Sequence, residues 1–534
     1  MQLEGIPFNQ TGYFSEIICD YLEEAPSLHP FYNRFSSITS FKAQIAEKQD
    51  SFSDDMRKVL AAALVKQYER IETSAKTKKH LSMLKDSNTF TVVTGHQLNL
   101  FTGPLYFLYK IISTINLTSE LKKAYPEQHF VPVYWMATED HDFEEINYFN
   151  YKGKKIQWNR DASGAVGHLS TEGLEAVYEL FSQELGPGTH ASKLKKLFSN
   201  AYLKHNTLTA ATRYLANELF GAEGLVIIDG DDKALKHCLI PHIKEDVFQN
   251  TAFKKITDTI TALEATSPNY TIQVNPREIN YFYLKEGIRE RIIQKGEDFY
   301  VNNTDLQFSK KEMLAEIESF PERFSPNVVS RPLYQEVILP NLCYIGGGGE
   351  LAYWLELRSS FEAVKIPFPI LLLRNSALVV SAKQQQKLNK MNVEAKDLFL
   401  EQNRLINKKI REISNIDIDF SPQRTHLQEQ FKALYDLAEQ TDKSFLGAVK
   451  AQEVKQLKGL NVLEKRLLQA QKRKLKDHVL RMTEIQNDLF PNKSLQERNF
   501  NFSELYLELG EELIPSLIKS LKPLEFEFMI VRYS

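Results

Sequence analysis

Cysteine is scarce in this 534-residue chain: Cys19, Cys238 and Cys343 stand far apart, with no CxxC pair. That excludes a disulfide scaffold and a cysteine-built zinc site, and it suits a reducing compartment. Long apolar runs are missing too. No stretch approaches the roughly 18 apolar residues of a membrane span, and no basic segment followed by an apolar one stands near Glu4 to suggest a secretory signal. These absences predict a cytoplasmic protein with no membrane partner. An excess of one charge is also lacking. Sixty-six Lys and Arg against 69 Asp and Glu leave a net charge of −3, so nothing drives the whole chain toward nucleic acid or an anionic surface.

What is present reads as a folded globular protein, 43% hydrophobic and 11% aromatic. The length exceeds what one core holds, so two or three domains are expected. The stretch 89–115 organises the rest. Thr89 to Val93 is β-branched and aromatic, a short buried strand. Gly95 permits a sharp turn. Thr102 suits an N-cap and Pro104 a first helical turn, and Leu105 to Ile115 is apolar at helical spacing. A helix start offers free N–H groups to a phosphate or carboxylate. Thr94, Gly95, His96, Gln97 and Asn99 stand where such a ligand would sit, and His96 is expected to face solvent with little packing duty. An ordinary strand–loop–helix link has the same pattern.

Phe130 to Met136 is a second strand-like run, and two strands joined by a helix make a parallel βαβ unit with both polar turns at one sheet edge. Residues 1–85 read as mainly helical. Six glycines between Gly153 and Gly188 mark 151–205 as an inserted, partly irregular segment. Gly224 to Asp229, Leu342 to Ile345 and Pro369 to Leu373 read as further core strands, and Ile272 to Val301 as short antiparallel ones. From Arg424 to about Asn487, Gly and Pro nearly vanish and apolar residues recur at coiled-coil intervals. Leu427, Phe431 and Leu434 mark one limb. After a turn near Thr441-Asp442, a long second limb runs through Leu460, Leu467, Leu475 and Met482 to Leu489. Basic residues outnumber acidic ones ten to three from Lys450 to Arg481. That face suits either an anion or RNA, or simply water.

Three polar clusters carry candidate chemistry. The first is the His96 turn. The second is Glu139, Asp140, His141 and Asp142, close enough to share a proton or hold a divalent ion; Glu144 and Glu145 beside them read as surface acids. The third is Gly346, Gly347, Gly348 and Gly349 with Glu350 and Trp354. This run is neither GxGxxG nor a phosphate loop, and its freedom lets the backbone wrap a ligand or act as a mobile flap. Parallel strands would place all three clusters around one pocket, with His96 between the other two.

The segments Thr94-Gly-His-Gln-Leu-Asn-Leu-Phe-Thr-Gly-Pro104, Trp135-Met-Ala-Thr-Glu-Asp-His-Asp142, Gly346-Gly-Gly-Gly-Glu350 and Leu495-Gln-Glu-Arg498 resemble, in order, the bacillithiol biosynthesis cysteine-adding enzyme family (BshC). The resemblance covers nearly the whole chain. It implies an α/β fold: a Rossmann-like core similar to class I aminoacyl-tRNA synthetases, interrupted by connecting segments, plus a C-terminal coiled coil that makes a homodimer. The parts would be N-terminal helices and first core half (1–150), inserted segment (151–220), second core half with a small β-rich insertion (221–385), helical coiled coil (386–495) and a C-terminal segment packing back on the core (496–534).

The implied activity is the last step of bacillithiol synthesis, ligation of cysteine to the amine of glucosaminyl-malate. Activation of a carboxylate commonly uses ATP, which enters as the candidate cosubstrate; no metal site is indicated. Gly95-His96 would be the counterpart of the synthetase turn that steadies phosphates, although it has one histidine where those enzymes have two, and Ser381-Ala-Lys383 is the nearest match to Lys-Met-Ser-Lys. The general base would come from Glu139, Asp140, His141 and Asp142. Arg374 first, and Arg331 second, would hold the malate carboxylates. Gly103 and Trp135 lie inside the matching motifs and join the expected binding residues. The competing readings are a synthetase-like nucleotide- or tRNA-binding protein with a basic coiled-coil arm, with nucleic acid disfavoured by net charge, and a structural coiled-coil protein with an inactive core.

Overall fold

The computed structural model describes residues 2–441 and 443–533. Asp442, half of the turn expected between the coiled-coil limbs, lies outside the described residues. The chain divides into two compact units, one of residues 3–378 with 495–531 and one of residues 379–494 with a few residues from each end. Among the described residues no helix is long and apolar enough to cross a membrane.

The larger unit is built on a five-stranded sheet: β1 (Thr89–His96), β2 (His129–Met136), β3 (Val226–Asp229), β4 (Asn341–Gly346) and β5 (Ile370–Leu373), in the order β5-β4-β1-β2-β3. All the pairings are parallel. Parallel sheets are covered on both faces, so their strands read as near-continuous apolar runs, and every residue of β1 and β4 is buried. Helix α1 (Tyr106–Ala124) crosses from β1 to β2, and its Leu117 and Leu121 pack with Phe90, Val92 and Ile345 in the core. The sheet is Rossmann-like. Its order reverses between β1 and β4, which opens a crevice at their carboxyl ends.

The turn after β1 departs from expectation. α1 starts at Tyr106, not around Pro104, and Thr102 is no N-cap. Phe101 and Thr102 instead have φ of +47° and +68°. Tertiary contacts override local preference here. Phe101 packs against Phe149, Phe181, Phe198 and Phe502, and Asn501 Nδ2 donates to the carbonyls of Phe101 and Gly103, both at 2.7 Å. Gly103, at φ +61°, is required: a Cβ there would stand 2.6 Å from Asn99 Cβ.

Residues 151–205 are more regular than their glycines suggest. Leu174–Leu185 and Thr189–Tyr202 are helices, and Gly173, Gly186 and Gly188 lie in the turns that bound them. The antiparallel reading of 272–301 holds: Tyr281–Lys285, Ile288–Lys295 and Asp298–Val301 pair in turn within a second five-stranded sheet.

The smaller unit contains a hairpin of two helices, Ser421–Glu439 and Lys443–Lys474. The second limb is not continuous to Leu489, as expected; it breaks at Leu475 (φ −101°, ψ 32°) and resumes as Lys476–Leu489. That last helix buries Met482, Ile485 and Leu489 and packs against helix Gln402–Ile413, and burial of this apolar face sets its direction.

Beside the sheet, Lys48 of helix Ser40–Ser51 meets Glu336 of helix α2 (Ser330–Ile338) at 3.1 Å, with both side chains at most 1% exposed. Asn341 Nδ2, at the start of β4, also donates to Glu336, at 2.6 Å. Removing one member of a buried pair strands the other charge. We expect Lys48→Met to lower unfolding free energy by about 3–5 kcal/mol in urea titrations, and Lys48→Met combined with Glu336→Gln to recover most of it.

Candidate active site

At the carboxyl ends of β1, β2 and β4 lies a cleft of about 880 Å³, within the size range of small-molecule sites. His96, Glu139, Asp140 and His141, and Gly347 to Glu350, all line it. Since β1 runs between β2 and β4, His96 sits between the other two clusters, and the single-pocket arrangement holds.

His96 does not face solvent. It is 9% exposed and packs on the rings of Tyr106 and Phe107, with centroids 5.6 and 5.0 Å away. Burial first, then the Lys110 charge, lowers its pKa to about 3. The Thr102 backbone hydrogen-bonds the ring, and Nε2 is buried without a partner. His96 is therefore a neutral imidazole in a residue that lines the cleft, and its Nε2 is a buried acceptor without a protein partner.

Lys110, in the second turn of α1, donates to the Gly95 carbonyl at 2.8 Å and meets Glu350 at 2.6 Å. Glu350 also accepts from Gly347 N at 2.8 Å and Tyr344 Oη at 2.7 Å. Burial alone would raise the Glu350 carboxyl, but Lys110 and these donors hold it below its usual value. The glycine run is neither wrap nor flap. Gly346 ends β4, Gly347 caps, and Gly348 opens helix α3 (Gly348–Leu355). A Cβ at Gly346 would press within 2.9–3.0 Å of Leu351, Glu350 and Tyr344. At Gly347 to Gly349 it would meet nothing nearer than 3.5 Å, so the protein's own packing does not exclude side chains there. Their bareness leaves room for a ligand.

The acidic turn divides into different environments. Glu139 is buried and pairs with Lys236 at 2.5 Å, yet burial leaves its carboxyl above the usual value. Asp140 accepts from Gln97 Nε2 at 2.8 Å and His141 N at 2.7 Å. Burial would raise it, but the nearby His141 side chain first, then Gln97 and His141 N, hold it well below the usual carboxylate range. His141 Nδ1 lies 2.8 Å from Arg289 Nη1 and 3.6 Å from Asp140 Oδ1. A guanidinium can only donate, so in the shorter contact Nδ1 is the acceptor. Asp142 is exposed and outside the cleft. Among the described residues no group of three or more His, Cys, Asp or Glu could hold a metal ion.

Gln97, Gly95 and Trp135 line the cleft, as do Arg331 and Arg374. Arg374 is already committed: Nη2 bonds Glu497 at 2.7 Å and Nη1 bonds Asn375 O at 2.9 Å. Arg331 lies over Trp135 and Tyr344; its Nη1 donates to Gln335 Oε1 at 3.1 Å and Tyr353 also hydrogen-bonds it, but it pairs with no carboxylate and its buried Nη2 has no partner. The structure thus reverses their order as anion holders. Thr94, Asn99, Gly103 and Trp354 are structural. Thr94 Oγ1 ties β1 to the Ile345 carbonyl at 2.8 Å, Asn99 Nδ2 donates to Glu145 O at 3.2 Å, and Trp354 is fully buried and stacked on Tyr344 at 4.5 Å. Sequence reasoning missed Lys110 and Lys236. Lys110 had a signal: a lone cation in an apolar helix, which burial obliges to find a partner.

One wall of the cleft comes from Gln273, Val274, Asn275, Arg277 and Ile279, in a segment without helix or strand. Two buried carboxylates hold it. Glu356 accepts from Gln273 N at 2.8 Å and Val274 N at 3.4 Å; Asp246 accepts from Asn280 N at 2.6 Å and Asn280 Nδ2 at 3.2 Å. Without a cation beside them, burial pushes Glu356 up to about 7 and Asp246 up to about 6. A carboxyl raised on folding binds more protons folded than unfolded, so stability falls as pH rises, for Glu356 between 4.5 and about 7. We expect Glu356→Gln to flatten the decline of Tm from pH 5 to pH 8 and to raise Tm at the upper end. An unchanged profile would contradict an uncompensated charge.

Comparison with known proteins agrees with this architecture. Residues 1–375 match the family described as "Bacillithiol biosynthesis BshC, N-terminal Rossmann-like domain", and residues 377–533 match "Bacillithiol biosynthesis BshC, C-terminal coiled-coil domain". Similar relatives include proteins named "Putative cysteine ligase BshC" from Christiangramia forsetii, 58% identical over 100% of this chain and 99% of its own length, and from Flavobacterium johnsoniae, 57% identical over 99% and 100%. A Bacillus cereus protein of the same name is 26% identical over 99% of this chain and 98% of its own length. With both domain matches in order and identity at this level across full length, the chain belongs to the bacillithiol biosynthesis BshC family.

Proposed function

We propose that this chain is a cytoplasmic ligase that joins the carboxyl of cysteine to the glucosamine amine of glucosaminyl-malate. Family membership and the names of the relatives support a cysteine ligase. The observation that carries the substrate reading is Arg331, a cleft-lining guanidinium whose Nη2 is buried without a partner, close to Tyr344 and Trp135. A malate carboxylate would satisfy it.

Amide formation needs the cysteine carboxylate converted to a better acyl donor, and ATP is the proposed activating cosubstrate. The amine then attacks the acyl carbon, the C–O bond to the phosphate-bearing leaving group breaks, and a base takes the amine proton. Of the four residues in the acidic turn, Glu139 suits that base: it lines the cleft, Lys236 pairs with its Oε1, and burial still holds its carboxyl above the usual value. Asp140 is too acidic, and His141 Nδ1 is occupied by Arg289. His96 Nε2 accepts a hydrogen bond from the substrate and orients it. Glu139→Gln is expected to lower kcat by about 10²- to 10⁴-fold, with Asp142→Asn near wild type, in assays of purified protein with cysteine, glucosaminyl-malate and ATP. A strain lacking the gene should accumulate glucosaminyl-malate and recover the thiol with wild type, but not with Arg331→Ala. Normal thiol in that strain would overturn the assignment.

The coiled coil supports a homodimer. Leu437 and Leu463 are 54% and 52% exposed, and Val462 and Leu480 are nearly as open; such apolar surface marks an interaction face. Light scattering at micromolar concentration should give twice the chain mass, and replacing Leu437 and Leu463 with Glu should halve it. A monomeric wild type would refute this.

A further inference from the structure

The cleft carries more positive charge than its own carboxylates answer. Two of its cations are matched, Lys110 by Glu350 and Arg374 by Glu497. Arg277, Arg289, Arg291, Arg331 and Arg498 also line it, and among the described residues none of these five has a carboxylate within ion-pair distance. Arg331 belongs to the floor, over Trp135 and Tyr344.

Arg289 and Arg291 belong to strand Ile288–Lys295, two residues apart and so on one face. Arg291 stands opposite Phe282, another lining residue, in the strand register. Arg277 comes from the irregular wall segment. Arg289 is not a loose surface charge. Its guanidinium lies over the Phe282 ring, 4.1 Å from the centroid. Its Nε donates to Ser325 Oγ at 3.2 Å, and its Nη1 to His141 Nδ1 at 2.8 Å. Every contact is neutral. Burial lowers the pKa of this group, with Glu139 and Asp140 pulling the other way from beyond contact. A guanidinium that is partly buried, fixed in orientation and left without a carboxylate in contact is a preformed receptor for an anion.

We infer that Arg289, with Arg291 and Arg277, forms a second oxyanion subsite at the mouth of the cleft, distinct from the Arg331 floor, for a phosphate or carboxylate group. Its existence does not depend on the proposed reaction; only the identity of its occupant does. Under that reading the two sources are the phosphates of ATP and the carboxylates of the malyl group, and the two subsites divide them.

The test is calorimetric binding to the full-length protein. Inorganic pyrophosphate is the probe that is independent of the reaction. Arg289→Gln should weaken it at least tenfold and Arg291→Gln at least threefold. Arg291 is exposed, so its replacement reads the subsite even if Arg289→Gln fails to fold. Wild type that does not bind pyrophosphate, or binding unchanged in both variants, overturns the subsite. L-malate and ATP then assign the occupant: Arg289→Gln should weaken one at least tenfold and leave the other within twofold, while Arg331→Gln does the reverse. Equal losses for both ligands in both variants overturn the division into two subsites. If pyrophosphate responds as expected but neither malate nor ATP binds, the subsite stands and the ligase reading fails.

Discussion

The Lys110–Glu350 pair is the contact on which the site depends. Taking two charges out of water is costly, and the return comes only when the remaining donors and acceptors are satisfied. Here they are. Lys110 also holds the Gly95 carbonyl, and Glu350 also takes Gly347 N–H and Tyr344 O–H. One buried network therefore fixes the turn after β1, the start of α3 and the second turn of α1 in a single geometry. Parallel strands bring those turns to the same edge; the ion pair sets their spacing.

Burial first, and then the same lysine, decide what His96 can be. A cation near a buried imidazole disfavours a second one, and His96 is held neutral with one ring nitrogen buried and unpartnered. Two buried atoms of cleft-lining residues, the acceptor His96 Nε2 and the donor Arg331 Nη2, thus lack protein partners. Buried polar atoms are rarely left unsatisfied. Two of them belong to residues that line one cleft.

Much of this was legible in the sequence. The β-branched run at Thr89 to Val93 and the apolar run at Phe130 to Met136 gave two parallel strands, and the apolar Leu342 to Ile345 segment a third. The glycine run marked the right place but for the wrong reason, since helix α3 orders it and only Gly346 is sterically required. His96, Arg374 and the start of α1 were misread because their environments come from distant residues. Glu497 neutralises Arg374 from 123 positions away, and Asn501 restrains the turn that keeps Thr102 out of the helix. No local pattern carries such information. Trp354 shows the converse: helical spacing placed it near Glu350, but that spacing turned it beneath Tyr344 rather than toward the ligand.

The fate of His96 also limits the analogy with class I synthetases. A histidine that steadies a phosphate does so by donating an N–H or by carrying charge. His96 spends its one N–H on the backbone at Thr102 and carries no charge at neutral pH. Under the proposed reaction a phosphate would be held by other groups: guanidinium forks, which satisfy two oxygens at once, and the N–H groups at the start of α3, where glycines leave the approach open. Gly347 N–H is already engaged by Glu350, which leaves Gly348 and Gly349.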